Sequence, residues 1–334
     1  MIMIVVENLS KDFKIKIKEE GLKGAVKGLF SNKCEIKSAV KDISFTINEG
    51  EIVGYIGSNG AGKSTSIKMM TGILTPTKGR VIVNGKIPYK DRENNAKDIG
   101  VVFGQRTQLW WDIPLRETFK ILKVIYDIND DEFKEKMKFL NDILELEEFI
   151  ERPVRTLSLG QRMRADIAAS LIHGPKVLYL DEPTIGLDVV VKEKVRDAIK
   201  LLNERYNTTV ILTTHDLSDI EELCNRIIII DKGMKLYDGT LEDIKNKFGS
   251  DKILNIKIKE HIENKLNINE ILNLSEEDLQ EEIKDKEIII KFNKNKTTSS
   301  EIISKIIDKV NIIDFAIKET TLEEIIKKIY KDEV

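Results

Sequence analysis

The chain opens on an apolar run. Met1-Ile2-Met3-Ile4-Val5-Val6 opens a stretch that reads as a strand over residues 1–13. A second strand region, residues 36–56, shows short apolar/polar alternation at Val40, Ile43, Phe45 and Ile47 and turns at Asn48-Glu49-Gly50. Within it, Glu51-Ile52-Val53-Gly54-Tyr55-Ile56 predicts a buried strand running into a glycine-rich loop, with a helix over Ser64–Ile73 behind the loop. Arg80-Val81-Ile82-Val83-Asn84-Gly85 is expected to close a hairpin. From about Leu115 to His173 the apolar period lengthens to that of helices: Phe119, Leu122, Ile125 and Tyr126, then Phe139, Ile143, Leu144 and Leu146. Strands return at Lys176–Leu180, Thr209–Thr213 and Arg226–Asp231, separated by helices. That alternation implies an α/β fold with a mostly parallel sheet covered by helices.

Composition shifts after Phe248-Gly249-Ser250 towards Ile, Lys, Asn and Glu. The remainder predicts strands at Ile253–Ile258 and Glu287–Phe292 and amphipathic helices at Ser299–Val310 and Thr320–Tyr330. Residues 246–334 are therefore expected to form a small α+β domain with no phosphate or metal motif of its own. Residues 1–245 form the larger domain, with a helical subdomain at about 106–173. Between the first two strands lies an insertion, Lys14 to Lys37, with seven lysines against Glu19, Glu20 and Glu35. Its Leu22, Ala25, Val26, Leu29 and Phe30 share one helical face. Such a segment suits either anionic lipid headgroups and a membrane partner or a plain solvated loop.

The bulk numbers narrow the class. A chain of 334 residues, 41% hydrophobic and 33% charged, suits one large domain plus a smaller one. Fifty-four basic against 57 acidic residues leave no global signature of a nucleic-acid binder, and no nucleic acid is expected as a partner. Cys34 and Cys224 sit in no metal-ligand spacing and read as reduced thiols of a cytoplasmic protein. No apolar run approaches the ~20 residues of a membrane span. The amino terminus lacks the basic start and cleavage site of a signal peptide. Any membrane work is therefore expected to pass through a partner.

Chemistry concentrates in three places. Gly57-Ser58-Asn59-Gly60-Ala61-Gly62-Lys63-Ser64 matches the phosphate-loop pattern between a strand and a helix. Its glycines let backbone N–H groups wrap phosphates, and the helix start adds a positive dipole end. Lys63 would reach the β- and γ-phosphates, the Ser64 hydroxyl would hold Mg²⁺, and Thr65 follows at the head of the helix. In Val177-Leu178-Tyr179-Leu180-Asp181-Glu182, four apolar residues bury a strand whose carboxyl end presents Asp181 for a water-bridged Mg²⁺. Glu182, on the opposite side of the pleat, would polarise the attacking water. Between these motifs lies Leu157-Ser158-Leu159-Gly160-Gln161.

In this order the motifs resemble the ATP-binding-cassette (ABC) transporter ATPases over about residues 1–245. The resemblance implies a P-loop NTPase with a RecA-like core, an antiparallel β subdomain and a helical subdomain, binding ATP with Mg²⁺. It places Phe13 against adenine. Gln105, in Val101-Val102-Phe103-Gly104-Gln105, would touch Mg²⁺ and relay to the membrane partner. Pro183-Thr184-Ile185-Gly186-Leu187-Asp188 matches the dimer-contact loop, and His215 the switch histidine at the γ-phosphate. Leu159 stands where the family's signature usually has Gly, while Ser158 and Gly160 are kept.

The same resemblance implies a head-to-tail dimer, most simply a homodimer. Lys63, Ser64, Gln105, Asp181, Glu182 and His215 of one subunit would face Ser158, Gly160 and Gln161 of the other across ATP. Leu109-Trp110-Trp111-Asp112 and the Leu159-bearing signature are similar to those of ABC-2-type, drug-resistance-like exporters. That implies ABC-2-type transmembrane permease subunits as partners and a place on the inner face of the cell membrane. The two tryptophans would either pack within the helical subdomain or line the groove that receives the permease. The alternative is a soluble ABC ATPase acting on the ribosome or on nucleic acid. Against it stand the single phosphate loop and the absence of a heptad array or Cys-x-x-Cys.

Overall fold

The computed structural model describes residues 1–16, 34–104, 107–261 and 266–331. They fall into two units, Met1–Gly239 and Thr240–Val334. The larger unit begins with two long strands, β1 (Ile2–Lys16) and β2 (Cys34–Asn48), followed by β3 (Ile52–Gly57) and α1 (Lys63–Met70). Next come β4 (Lys78–Val83), α2 (Arg92–Asp98) and β5 (Ile99–Phe103). The expected helical stretch breaks into α3 (Leu115–Ile125), α4 (Asp130–Leu144) and α5 (Leu159–Leu171), with short 3₁₀ turns between. Then β6 (Val177–Asp181), α6 (Val189–Tyr206), β7 (Thr209–Thr213), α7 (Leu217–Leu223), β8 (Arg226–Asp231) and β9 (Met234–Thr240) alternate.

Two sheets organise this unit. β1 pairs antiparallel with both β2 and β4, in the order β2-β1-β4. Arg80–Gly85 therefore does not close a hairpin. Its strand crosses to β1, and past the Asn84-Gly85 turn only the Val83–Lys86 bridge remains. The second sheet runs β5-β6-β7-β3-β8-β9, and its neighbours from β5 to β8 pair parallel. Val53, Tyr55, Tyr179, Ile211, Ile228 and Ile230 from this sheet join Ile4, Val6, Ile43, Val81 and Val83 from the antiparallel one in a single core. Strands buried on both faces need continuous apolar runs, which is why β3, β6 and Ile227–Ile230 carry them.

The second unit contains α8 (Leu241–Phe248), β10 (Asp251–Ile258), α9 (Ile268–Leu272), β11 (Leu279–Lys284), β12 (Glu287–Asn293), α10 (Ser299–Ile306), β13 (Ile312–Glu319) and α11 (Leu322–Tyr330). Its four strands form an antiparallel sheet, β11-β12-β10-β13. Leu254, Ile256, Ile288, Ile290 and Phe292 build its core with Ile302 and Ile306 of α10. The division falls a few residues ahead of the expected boundary at 246, because α8 belongs to this unit: Ile325 of α11 lies against its end at Gly249.

Burial is not wholly apolar. The Tyr179 hydroxyl, in the middle of β6, is fully buried and has no hydrogen-bond partner among the described residues. Burial pushes its phenol well above the ordinary range. A buried hydroxyl without a partner costs about 1–3 kcal/mol. Tyr179→Phe is therefore expected to leave urea stability unchanged or to raise it by about 1 kcal/mol. A clear loss in a denaturation curve would contradict this reading.

Candidate functional site

The order of the parallel sheet sets β7 between β6 and β3, so the carboxyl ends of these strands open side by side. Asp181 is level with Thr213 on β7 and with Phe103 on β5. The Thr213 hydroxyl donates to Asp181 Oδ1 at 2.5 Å, and the Ser64 hydroxyl to Asp181 Oδ2 at 3.3 Å. Two oxygen-bearing side chains, predicted from separate motifs, thus stand together. Glu182 follows with φ 58°, a left-handed conformation unusual for a side-chain-bearing residue. Its amide donates to Thr213 O at 2.9 Å, and its Oε1 meets His215 Nε2 at 2.7 Å.

The phosphate loop has the expected form. Gly60 and Gly62 adopt φ 81° and 107°. A Cβ at Gly62 would lie 2.5 Å from Ala39 O, and one at Gly57 would lie 2.4 Å from Ile230 O, so both sites require glycine. Lys63, mostly buried, donates to Gly57 O at 2.6 Å and Ser58 O at 3.2 Å. Burial lowers its ammonium below the usual lysine range, while the carboxylates of Glu182 and Asp181 oppose the shift. The Ser58 hydroxyl donates to Asp231 at 2.5 Å, tying the loop to the end of β8.

A cleft of about 580 Å³ lies over this loop. It is lined by Asn59, Gly60, Ala61, Gly62, Lys63, Ser64, Thr65 and Glu182, and by Phe13, Ser38 and Lys232 from the flanking strands and turn. The ring of Phe13, with the Lys11 ammonium 5.3 Å from its centre, stands at the same opening as the phosphate loop. Gln105 lies outside the described residues, as do positions 17–33 of the lysine-rich insertion with its apolar helical face. The backbone just before Gln105 is held close: Gly104 N donates to Asp181 O at 2.8 Å, and a Cβ there would come 2.3 Å from Glu182 O.

The signature residues do not line this cleft. Ser158 caps α5 in a reciprocal box: Gln161 N donates to its hydroxyl at 3.2 Å, and Ser158 N donates to Gln161 Oε1 at 3.0 Å. Ser158 is exposed and Gly160 abuts Val191 of α6. Leu159, half exposed, reaches within 3.0 Å of where a side chain at Gly186 would begin. The departure from glycine therefore sets an apolar side chain against the Pro183–Asp188 loop of the same subunit.

Two supporting carboxylates escaped the sequence reading. Asp219, fully buried on α7, accepts hydrogen bonds from Arg196 Nε at 2.7 Å, from Thr214 Oγ1 at 3.0 Å and from Thr184 Oγ1. One carboxylate thus pins the loop that follows Glu182 and the loop that precedes His215. The only sequence signal is the pair of threonines, one close after Glu182 and one directly before His215. Asp166 of α5 accepts from Gln108 N at 3.1 Å and Thr107 Oγ1 at 2.9 Å, fastening the signature helix to the segment after Gln105. Both tryptophans in that segment are about half exposed, with the Arg162 guanidinium 4.8 Å over the Trp111 ring.

Two family profiles match the chain: "ABC transporter" over residues 40–185 and "ATP-binding protein DrrA1-3-like, C-terminal domain" over 239–329. The chain is 34% identical over 215 residues to the ABC transporter ATP-binding protein NatA of Bacillus subtilis, covering 64% of this chain and 87% of that one. It is 34% identical over 222 residues to the linearmycin resistance ATP-binding protein LnrL of the same organism, covering 66% and 71%. With the rat cholesterol transporter ABCA5 it shares 31% identity over 261 residues, which is 78% of this chain but only 15% of that protein. Among solved structures, a dimeric post-hydrolysis state of the ATP-binding cassette MJ0796, bound to ADP and Pi, superposes with a TM-score of 0.60 at 27% identity. It covers 72% of this chain and 99% of that one.

The buried Asp166 makes stability depend on pH. Burial raises its carboxyl from 3.8 to about 6, against the opposing pull of Gln108 N, Thr107 and Arg162. The folded state then holds a proton that the unfolded state has lost between about pH 4 and 6, so this group's contribution falls as pH rises through that window. Asp166→Asn is expected to flatten that fall, a difference of about 1–3 kcal/mol between pH 4 and 6.5. Parallel urea curves with the same pH slope in both proteins would exclude it.

Proposed function

The chain belongs to the ATP-binding proteins of ABC transporters, and from that premise we propose that it powers an ABC-2-type membrane exporter through cycles of dimer closure and opening. It is an ATPase whose hydrolysis energises transport. The observation that carries the fuller reading is a divided site. Lys63, Ser64, Asp181 and Glu182 gather at one cleft, whereas Ser158 and Gly160 stand outside it. A second subunit, arranged head to tail, would bring its signature to this cleft and complete it. The dimeric ADP-bound relative supports this arrangement.

ATP would lie with its phosphates along Gly57–Ser64 and its base beside Phe13. Lys63, with its ammonium released from Gly57 O and Ser58 O, would neutralise the β- and γ-phosphates. The hydroxyl of Ser64 and the carboxylate of Asp181 are hard oxygen donors at 3.3 Å from each other, a pair suited to Mg²⁺. No group of three or more ionisable ligands occurs among the described residues, so phosphate oxygens and water would fill the remaining positions. When bound, Mg²⁺ supplies charge neutralisation on the phosphates. Gln105 would add a further oxygen and carry the signal onward.

Glu182 would take the proton from a water as that water attacks the γ-phosphorus. The bond from phosphorus to the bridging oxygen then breaks, giving ADP and inorganic phosphate. His215, now 2.7 Å from Glu182, would turn to the γ-phosphate when ATP arrives. The partner's Ser158 hydroxyl and the amino end of its α5 would close over the same phosphate. Charge separation into ADP and phosphate would then open the dimer.

Among the described residues, no helix is long and apolar enough to cross a membrane. The exposed Trp110 and Trp111, beside the segment that Asp166 fastens, would meet the permease and hold this subunit at the inner membrane face. The DrrA-like carboxy-terminal profile and the similarity to LnrL favour export over a ribosomal or nucleic-acid role.

Glu182→Gln is expected to retain ATP binding, lose turnover by about 10²–10⁴-fold and accumulate as an ATP-bound dimer. Purified protein tested for phosphate release and, by size exclusion, for ATP-dependent association gives both readouts. Normal turnover by the variant would remove Glu182 from the role of base.

A further inference from the structure

The sheet of the second unit ends in two unlike edges. β11 is guarded by polar and charged side chains: Gln280, Glu282 and Lys284 alternate along its exposed face. Such residues discourage a neighbouring strand from pairing. At the opposite edge, β13 has no strand on its outer side among the described residues. It carries Ile313, Phe315 and Ile317 on one face, exposed at 66%, 50% and 44%. Phe315 is level with Ile256 and Ile317 with Leu254, both fully buried core residues of β10. The apolar layer of the core therefore runs on to β13, where little covers it. The Phe315 amide donates to Asp314 Oδ1 at 2.8 Å, a local contact that a partner strand can replace.

The other face of β13 specifies the occupant. Asp314, Ala316 and Lys318 alternate there. An antiparallel copy of the strand, related by a twofold axis at Ala316, puts Phe315 opposite Ile317 and Asp314 opposite Lys318, each pairing occurring twice. Over the central residues, opposite charges and apolar pairs then meet on their proper faces, as a self-complementary interface requires, while Ile313 falls opposite Glu319 at the ends of the ladder. Lys318 now meets Glu324 at 3.3 Å, an exposed contact worth little and easily exchanged.

We propose that β13 pairs with β13 of a second copy of this chain, joining two carboxy-terminal sheets into one of eight strands. This contact is independent of nucleotide. It would keep two ATPase subunits tethered while their ATP sites open, so that reclosure becomes an intramolecular event.

Sedimentation of the full chain without nucleotide, over about 1–100 µM, tests it. A concentration-dependent dimer is expected, lost when Phe315→Lys and Ile317→Lys are combined, which sets like charges opposite each other in place of the apolar pair. Asp314→Lys should weaken the dimer about tenfold by setting like charges opposite each other, and adding Lys318→Asp should restore it. The same substitutions in the Glu182→Gln chain should leave ATP-dependent dimerisation present, which shows that the cassette still folds and separates this contact from that one. A nucleotide-free chain that stays monomeric, a dimer indifferent to the lysines, or a charge reversal that fails to restore association would overturn the proposal. So would a loss of association seen only with membrane subunits present, which would assign the edge to them.

Discussion

Every element of the ATP site depends on the parallel pairing of β6 with β7 and of β7 with β3. These ladders set Asp181 level with Thr213 and bring the phosphate loop up one strand away. Backbone pairing fixes where the strands end. The Thr213 hydroxyl then holds one oxygen of Asp181, and the other is left facing Ser64. The left-handed turn at Glu182 reverses the direction of the next side chain and sends it towards His215. A buried carboxylate behind the site, Asp219, keeps the Glu182 and His215 loops in step through two threonine hydroxyls and Arg196. A charge taken wholly out of water is tolerable only with such a set of donors.

The helical layer is fastened to the site without lining its cleft. Its α5 carries the signature at its amino end and Asp166 midway, and Asp166 grips Thr107 and Gln108 just past Gln105. Gly104 is held against the backbone of Asp181 and Glu182 on the other side of the same short segment. Exposed Trp110 and Trp111 follow this fastened segment by two and three residues. Leu159 adds a second link, from the amino end of α5 to Gly186 in the loop after Glu182. In a chain with glycine at position 159 that apolar contact would be missing, so the signature and the loop would be less firmly joined.

The carboxy-terminal unit is built on a different principle. Its sheet is antiparallel, covered by α10 on the Leu254–Phe292 face, and its two edges are treated oppositely. Charge blunts β11, while β13 presents an apolar row and a charge pattern that complements its own reverse. Such an edge is hazardous unless paired.

The local elements were legible where one physical signal dominated. Continuous apolar runs marked β3, β6, β7 and β8, because strands buried on both faces admit nothing else. The glycines of the phosphate loop were legible because positive φ and close backbone approach exclude other residues at Gly62. β5, β9, β11, β13 and the short α2, α8 and α9 are not legible as elements. Their short mixed sequences take their structure from neighbours already in place. Nor does sequence spacing reveal that Arg80–Val83 joins β1 across the chain instead of folding back as a hairpin.

By itself, the sequence determined the chemical inventory: a glycine-rich loop ahead of a helix, an acidic pair at the end of an apolar strand, and a separate Leu-Ser-Leu-Gly-Gln segment. These depend on residue type and short-range spacing. Only the tertiary structure decided which polar side chains are buried together. Asp219, Thr184, Thr214 and Arg196 come from three segments, and nothing local marks them as one cluster. The same holds for the open edge at β13, since whether a strand is central or peripheral is fixed by long-range pairing, which local pattern does not encode.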